Sequence, residues 1–296
     1  MTQHPERVVA VASVAEALSH LTTQRGRARI VAGLAGLSGG LNLPEGAYLV
    51  DVSEVAALRR IELADGGLLL GGAVSLAALA KHPEVELAAP LVTAASWHHA
   101  EGGRGGETLA ARVVSSRGGD PINAALVALG AQAEITNLTG AQWLPVASLY
   151  VRQGLSRVDS SSEILTRFRL TVGQGAHGGG IGVIAGGDGT DAYALALAVV
   201  LDASGERFAQ AQLSHGADWA IPTALPELAE RLVGVALDDK ERLRAFVAQL
   251  IEIEMAMLGP EPPEWINEGA FREACHAALK GAARTARRRL APREPS

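Results

Sequence analysis

Residues 8–11, VVAV, form a short apolar run that predicts a buried strand, and Ser13 followed three residues later by Glu16 makes a capping box that opens a helix. Val14, Ala17, Leu18 and Leu21 then share one helical face, and Gly26 supplies the stop. Residues 29–32 and 48–52 predict two more strands, separated by a loop carrying Gly33, Gly36, Gly39 and Gly40. Strand, helix, strand, glycine loop, strand is the order of a small α/β unit with a crossover.

From Ile61 the pattern changes to short strands around a turn at Gly66 and Gly67, with helical periodicity over residues 75–80 and 84–97. A second glycine-rich loop covers residues 102–106, residues 121–130 read as a helix, and 132–137 with 142–146 read as a hairpin. Ile164, Thr166, Phe168 and Leu170 alternate as in a strand, and the tract GQGAHGGG over residues 173–180 reads as a break and the main domain boundary. Beyond it, residues 192–201 and 209–215 predict strands joined through Ser204 and Gly205, followed by helices over 226–232, 238–257 and 267–290. The last third is a small sheet covered by helices, and no internal repeat is visible.

Composition narrows the classes. Of the 296 residues 48% are hydrophobic but only 4% aromatic, so the core is built from Ala, Val and Leu and admits close backbone packing. A formal charge of -6 argues against a nucleic-acid-binding body or an anionic membrane as partner. The single cysteine, Cys275, supplies neither an internal disulfide nor a metal cluster, which fits a reducing cytoplasm and puts any iron-sulfur centre on another chain. The first residues lack a secretory signal, and no stretch reads as a membrane span.

The order of these elements resembles the FAD-binding (medium) subunit family of molybdenum hydroxylases, of the carbon monoxide dehydrogenase and xanthine dehydrogenase type. The likeness is carried by GGLLLGGAVSLAALAKHPEVELAAPLVTAAS at residues 66–96, with support from VASVAEALSHL (11–21), YLVDVSEVAALRRI (48–61), SSEILTRFRL (161–170) and YALALAVVLD (193–202). It implies an α+β fold: a FAD-binding type-2 (PCMH/VAO-like) two-part α/β domain, here residues 1–55 and 56–172, followed by a CO-dehydrogenase-flavoprotein-like domain, 173–296, of a small antiparallel sheet with helices. These are scaffold features and speak to fold before activity.

The resemblance also implies a flavin site. In that family two glycine-rich loops hold the pyrophosphate of FAD, since bare backbone N–H groups can approach a phosphate where Cβ atoms are missing. The first loop, A-G-G-T-x-L in relatives, falls here on Ala32, Gly33, Leu34, Ala35, Gly36 and Leu37. The second, Q-V-R-N-x-x-T-I-G-G-N, falls on residues 102–112: Arg104, Thr108 and Leu109 match, whereas Ala110, Ala111 and Arg112 replace G-G-N. Asp120 corresponds to a family Asp near the flavin, and Ile164 and Leu165 complete the implied cofactor contacts. The family's Y-x-K-x-x-R-R stretch falls on Gly182, Ile184, Gly187 and Asp188. The two loops are expected to converge on one cleft.

Each feature also has a plainer reading. The first loop is equally a turn, Arg104 and Arg112 are surface cations, and Asp120 before Pro121 is a helix cap. His98 and His99 are adjacent, so they point apart and suit a polar helix end better than a metal site. Arg284, Arg287, Arg288, Arg289 and Arg293 either meet an acidic partner or solvate a helix end. The resemblance implies an oxidoreductase subunit that takes electrons from iron-sulfur clusters onto FAD and passes them to an external acceptor, beside a large molybdenum-cofactor subunit and a small iron-sulfur subunit, in an assembly such as a dimer of heterotrimers. The alternative is a flavin-free structural subunit keeping the fold and its interfaces. Neither reading needs a catalytic side chain or a metal on this chain.

Overall fold

The computed structural model describes residues 7–24, 26–33, 46–64, 67–172, 175–187, 190–258 and 262–290. The chain divides into two compact units: Met1–Lys81, Ser96–Ser116 and Gly130–Thr171 form the first, and His82–Ala95, Arg117–Leu129 and Val172–Ser296 form the second.

The first unit begins with strand β1 (Arg7–Ala10), helix α1 (Val14–Thr23) and strands β2 (Ala28–Val31) and β3 (Tyr48–Asp51). The strands make a parallel sheet in the order β1-β3-β2. The capping box forms: Ser13 Oγ accepts from Glu16 N at 3.1 Å, and Glu16 Oε2 accepts from Ala12 N at 2.8 Å. That entry turns Ala17, Leu18 and Leu21 into a core shared with Val11, Val50, Leu58 and Ile164.

A second sheet of the same unit contains β4 (Ile61–Ala64), β5 (Gly67–Gly71), β6 (Gln132–Asn137), β7 (Gly140–Pro145) and β10 (Ile164–Thr171), with a small hairpin of β8 (Tyr150–Arg152) and β9 (Leu155–Ser156) beside them in the chain. Its order is β4-β5-β10-β6-β7, antiparallel throughout. Alternation along the strands decides its faces. Leu68, Leu70, Phe168 and Leu170 are buried, while Arg167, Glu134 and Trp143 lie in register on the other face. Glu134 accepts from Arg167 Nε at 2.7 Å and Nη2 at 2.6 Å and from Thr166 Oγ1 at 2.7 Å. The guanidinium bonds hold the Glu134 carboxyl below its ordinary value of 4.5, against the opposing effect of burial.

Helices α2 (Leu76–Lys81), α3 (Pro83–Ala88), α4 (Pro90–Glu101), α5 (Leu109–Ser115) and α6 (Pro121–Ala128) occupy the middle of the chain. In the second unit β11 (Ala176–Ala185), β12 (Asp191–Leu201), β13 (Phe208–Ala217) and β14 (Ala220–Ala224) form an antiparallel sheet in chain order, followed by α7 (Pro226–Glu230), α8 (Lys240–Met257) and α9 (Glu268–Leu290). The observed architecture is the expected α+β mixture, with parallel pairing, among the described residues, confined to the first three strands.

Residues 176–180 of the tract read as a break are instead the first half of β11. A Cβ on Gly178 would stand 2.0 Å from Ala282 O, one on Gly180 1.9 Å from Ala278 O, and one on Gly182 1.9 Å from Ala274 O. Two residues of strand and four of helix advance by nearly the same distance, about 6 to 7 Å, so alternate glycines meet every fourth residue of α9. Ala274, Ala278, Ala282 and Ala286 are all buried in this contact face. Glycine is needed here for close approach of a helix backbone, which overrides its low strand propensity. Two of the arginines read as a partner-facing cluster also serve the unit itself: Arg287 Nε donates to Gly205 O at 3.5 Å and Arg289 Nη1 to Leu87 O at 2.6 Å. Arg293 lies outside the described residues.

A polar cluster sits inside the same unit. Tyr193 Oη donates to Glu254 Oε1 at 2.8 Å, and His215 Nδ1 lies 2.9 Å from that oxygen without hydrogen-bond alignment. Trp219 stacks on the Tyr193 ring and Phe271 meets its edge. Burial first, and then the Glu254 charge, hold the Tyr193 phenol well above its ordinary value, so it acts as a neutral donor.

Gly180→Ala is expected to cost about 3 kcal/mol, because neither backbone can yield to the added methyl; the shift of the urea midpoint measures it, and an unchanged midpoint would refute the packing argument. Glu134 carries a second expectation. Its folded pKa is depressed, so its contribution to stability is present above the unfolded value and is lost as pH falls through the folded one. Glu134→Gln should therefore be less stable than wild type at neutral pH and should lose less stability on moving to acid, as followed by urea midpoints across that range.

Candidate functional site

Strand β2 delivers the first implied loop. Gly33 has φ +91°, a conformation that favours glycine, and its N–H donates to Asp51 Oδ1 at 3.0 Å. The same Asp51 oxygen accepts from Ser53 N at 2.9 Å. One carboxylate at the end of β3 thereby closes two backbone donors. Leu34, Ala35, Gly36 and Leu37 lie outside the described residues.

The second implied loop is partly a helix. Thr108 is the N-cap of α5, its Oγ1 accepting from Ala111 N at 3.4 Å, so the T-L-A-A-R stretch begins a helical turn. Thr108 Oγ1 also donates to Ala32 O at 2.8 Å. This single hydroxyl brings the two implied loops together, across 76 positions of sequence. The start of α5 is tied down further: Leu109 N donates to Val74 O at 3.0 Å and Ala110 N to Gly72 O at 2.9 Å.

Gly72 links the third implied segment to the same place. Its N–H donates to Thr166 O at 2.8 Å, beside Ile164 and Leu165, where β10 carries a register shift. Ile164 packs in the core of α1 and the parallel sheet, and Leu165 is buried. Ala32, Gly33, residues 108–112 and the start of β10 are therefore joined by consecutive hydrogen bonds within the first unit. The expected convergence of the loops is seen at these described positions.

Arg112 points back along the helix to Glu107, Nη1 to Oε2 at 2.8 Å, and the two side chains are only 9% and 12% exposed. Glu107 stands in the aligned stretch but carries no signature there, and its role becomes visible only when α5 turns Arg112 toward it. Asp51 and Gly72 were likewise silent in sequence. Arg104 is half-buried at the end of α4, its N–H donating to His99 O at 2.9 Å. Asp120 belongs to the second unit, where Oδ1 accepts from Ile122 N at 2.9 Å and Asn123 N at 3.4 Å as the cap of α6. Gly182 and Ile184 are absorbed in that unit by the α9 contact and the core, and Asp188 lies outside the described residues. His98 and His99 form no metal set, since among the described residues no three or more His, Cys, Asp or Glu converge.

Chemically, the convergence is a knot of backbone groups with one buried ion pair. Gly33, Leu109, Ala110 and Ala111 each donate their N–H to an acceptor of the chain itself. A flavin pyrophosphate held as the resemblance implies needs such donors turned toward it, and these four are engaged within the chain.

Comparison with known proteins follows the same outline. The chain's fold is similar to carbon monoxide dehydrogenase from Oligotropha carboxidovorans (reconstituted), with TM-score 0.79 and 21% identity over 96% of this chain and 99% of that one. It is similar to carbon monoxide dehydrogenase from Hydrogenophaga pseudoflava, with TM-score 0.79 and 18% identity over 96% and 99%. Quinoline 2-oxidoreductase from Pseudomonas putida 86 gives TM-score 0.76 and 19% identity over 98% and 99%. No curated protein matches by sequence. At these identities the structures establish the fold, while the family model for the FAD binding domain in molybdopterin dehydrogenase matches residues 4–170, more than half of the chain. The chain belongs to the family of FAD-binding domains of molybdopterin dehydrogenases.

Proposed function

We propose that this chain is the flavin-subunit-type component of a molybdenum-hydroxylase assembly and serves there as a structural subunit, the described backbone donors of its implied cofactor site being engaged by the chain's own carboxylate, hydroxyl and backbone carbonyl oxygens. The observation that carries this reading is the engagement of the N–H groups of Gly33, Leu109, Ala110 and Ala111 by Asp51, Val74, Gly72 and Thr108. To recruit a phosphate there, each of those hydrogen bonds has to be exchanged for one to the ligand, so the bond itself adds little net free energy. The scaffold around the cleft persists, which supports retained interfaces with a large molybdenum-cofactor subunit and a small iron-sulfur subunit. The cytoplasm is the proposed compartment. In keeping with that, Cys275 is buried, and burial pushes its thiol up to about 12, so it is no reactive group. Among the described residues no helix is long and apolar enough to cross a membrane.

The second reading is electron transfer from the iron-sulfur clusters through FAD to an external acceptor. The family match favours it, as does Gly33 in the left-handed region at the head of the first loop. Bound FAD would supply the electron-accepting ring. This chain's part would be to hold it with residues 32–37, Thr108, Arg104, Arg112, and Ile164 with Leu165, and to exclude water.

The protein purified with its native partners distinguishes the two. A complex containing molybdenum and iron-sulfur chains but releasing no flavin fluorescence on denaturation is the expected result. One FAD per chain, bleached on adding reductant, would overturn the structural reading in favour of electron transfer. Failure to co-purify with any molybdenum-containing chain would overturn the assembly itself.

A further inference from the structure

We propose that the outer face of α9 is part of a self-complementary surface on which a second copy of this chain docks, the basic stripe of one copy lying against the acidic helix α3 of the other. The inference is independent of whether flavin is bound.

The stripe follows from helical geometry. At about 100° per residue, Lys280, Arg284, Arg287 and Arg288 fall within roughly a quarter of the helix circumference. Ala274, Ala278 and Ala282 lie on the opposite side, against β11. The four cations are exposed, and among the described residues Lys280, Arg284 and Arg288 form no ion pair. These three follow one another at intervals of four residues, the spacing at which like charges on a helix repel. The helix dipole favours cations in the last turn only, so it accounts for Arg287 and Arg288 but not for Lys280 and Arg284. The stripe therefore carries a charge that nothing described in the chain answers.

Acid stands beside it. Arg289 donates from Nη1 to Leu87 O at 2.6 Å and from Nη2 to Glu86 O, which seats the end of α3 against the last turn of α9 within the second unit. Helix α3 presents Glu84 and Glu86, both exposed and, among the described residues, in no ion pair. At the same junction Leu87 is 51% exposed and Leu290 39%, so apolar surface is left in water there.

Basic, acidic and apolar groups in one patch are what a twofold contact requires, because each group of one copy then meets its complement on the other, twice. Direct contact of α9 with α9 sets two cationic stripes against each other and is repelled. The complementary register places Arg284 and Arg288 of one copy against Glu84 and Glu86 of the other, with the leucines enclosed. Nucleic acid or an anionic membrane is a poorer occupant: phosphate drawn to the stripe meets the carboxylates beside it, on a chain of net charge -6.

Sedimentation of the purified full chain tests this. Wild type is expected to dimerise at about 100 µM or below, the weak range that suits a small interface, and to dissociate as salt is raised. Arg284→Glu/Arg288→Glu and Glu84→Arg/Glu86→Arg, each folded by circular dichroism, should each raise the dimer dissociation constant about a hundredfold or more, since both contacts become like-charged. An equimolar mixture of the two variants should return to within about threefold of wild type, because every reversed charge then faces its opposite. Should either reversal fail to fold, Arg284→Gln/Arg288→Gln is expected to weaken the dimer about tenfold, and an unchanged dimer there would overturn the proposal. It is overturned equally by a wild-type chain that stays monomeric up to about 1 mM, by dimerisation that neither reversal weakens, or by a mixture that fails to recover. Monomeric wild type retained on heparin would replace it with polyanion binding.

Discussion

A backbone N–H taken out of water has to meet an acceptor, and in the first unit that requirement organises the place where β2, α5 and β10 meet. The parallel sheet ends at Ala32 and Gly33, and α5 begins at Leu109; each end leaves donors or acceptors exposed by the geometry of strands and helices. Thr108 resolves two of these at once, donating to Ala32 O and accepting from Ala111 N. Asp51, Val74 and Gly72 take the rest. Their internal satisfaction makes these donors part of the stability of the unit itself.

The residues of α5 reinforce the same arrangement. Alanine at 110 and 111 continues α5 with good helix propensity where glycine would weaken it. Arg112 follows on the same helix and finds Glu107. These residues favour a turn of helix closed on itself.

The second unit rests on a different economy of space. Its core has few aromatic rings, and α9 lies so close to β11 that glycine and alanine are the side chains with room in the contact. A buried polar cluster sits there too: Tyr193 bonds Glu254, and the Glu254 carboxylate lies beside His215. A tight small-residue face and one enclosed polar cluster are two ways of obtaining a specific register between helix and sheet without bulky residues.

Hydrophobic period and capping chemistry made much of the fold legible from sequence. The Ser13 and Glu16 box, the strands ending near Val31 and Asp51, the hairpin after residue 132 and the two long final helices all follow from local signals, because each is encoded within a turn or two of its own residues. The resemblance located the two loops, and Thr108 was among the residues it named. What the sequence could not disclose is what depends on distant atoms. Gly178 and Gly180 fall in a tract that reads as a break because low strand propensity is local, whereas their use as a landing surface for α9 involves residues about a hundred positions away. Asp51, Gly72 and Glu107 carry no motif; they acquire meaning when folding brings them to Gly33, Ala110 and Arg112. The sequence by itself determined where most helices and strands form, and only the tertiary structure decided the strand built on glycines and the partner of each backbone donor, since both are facts of three-dimensional proximity.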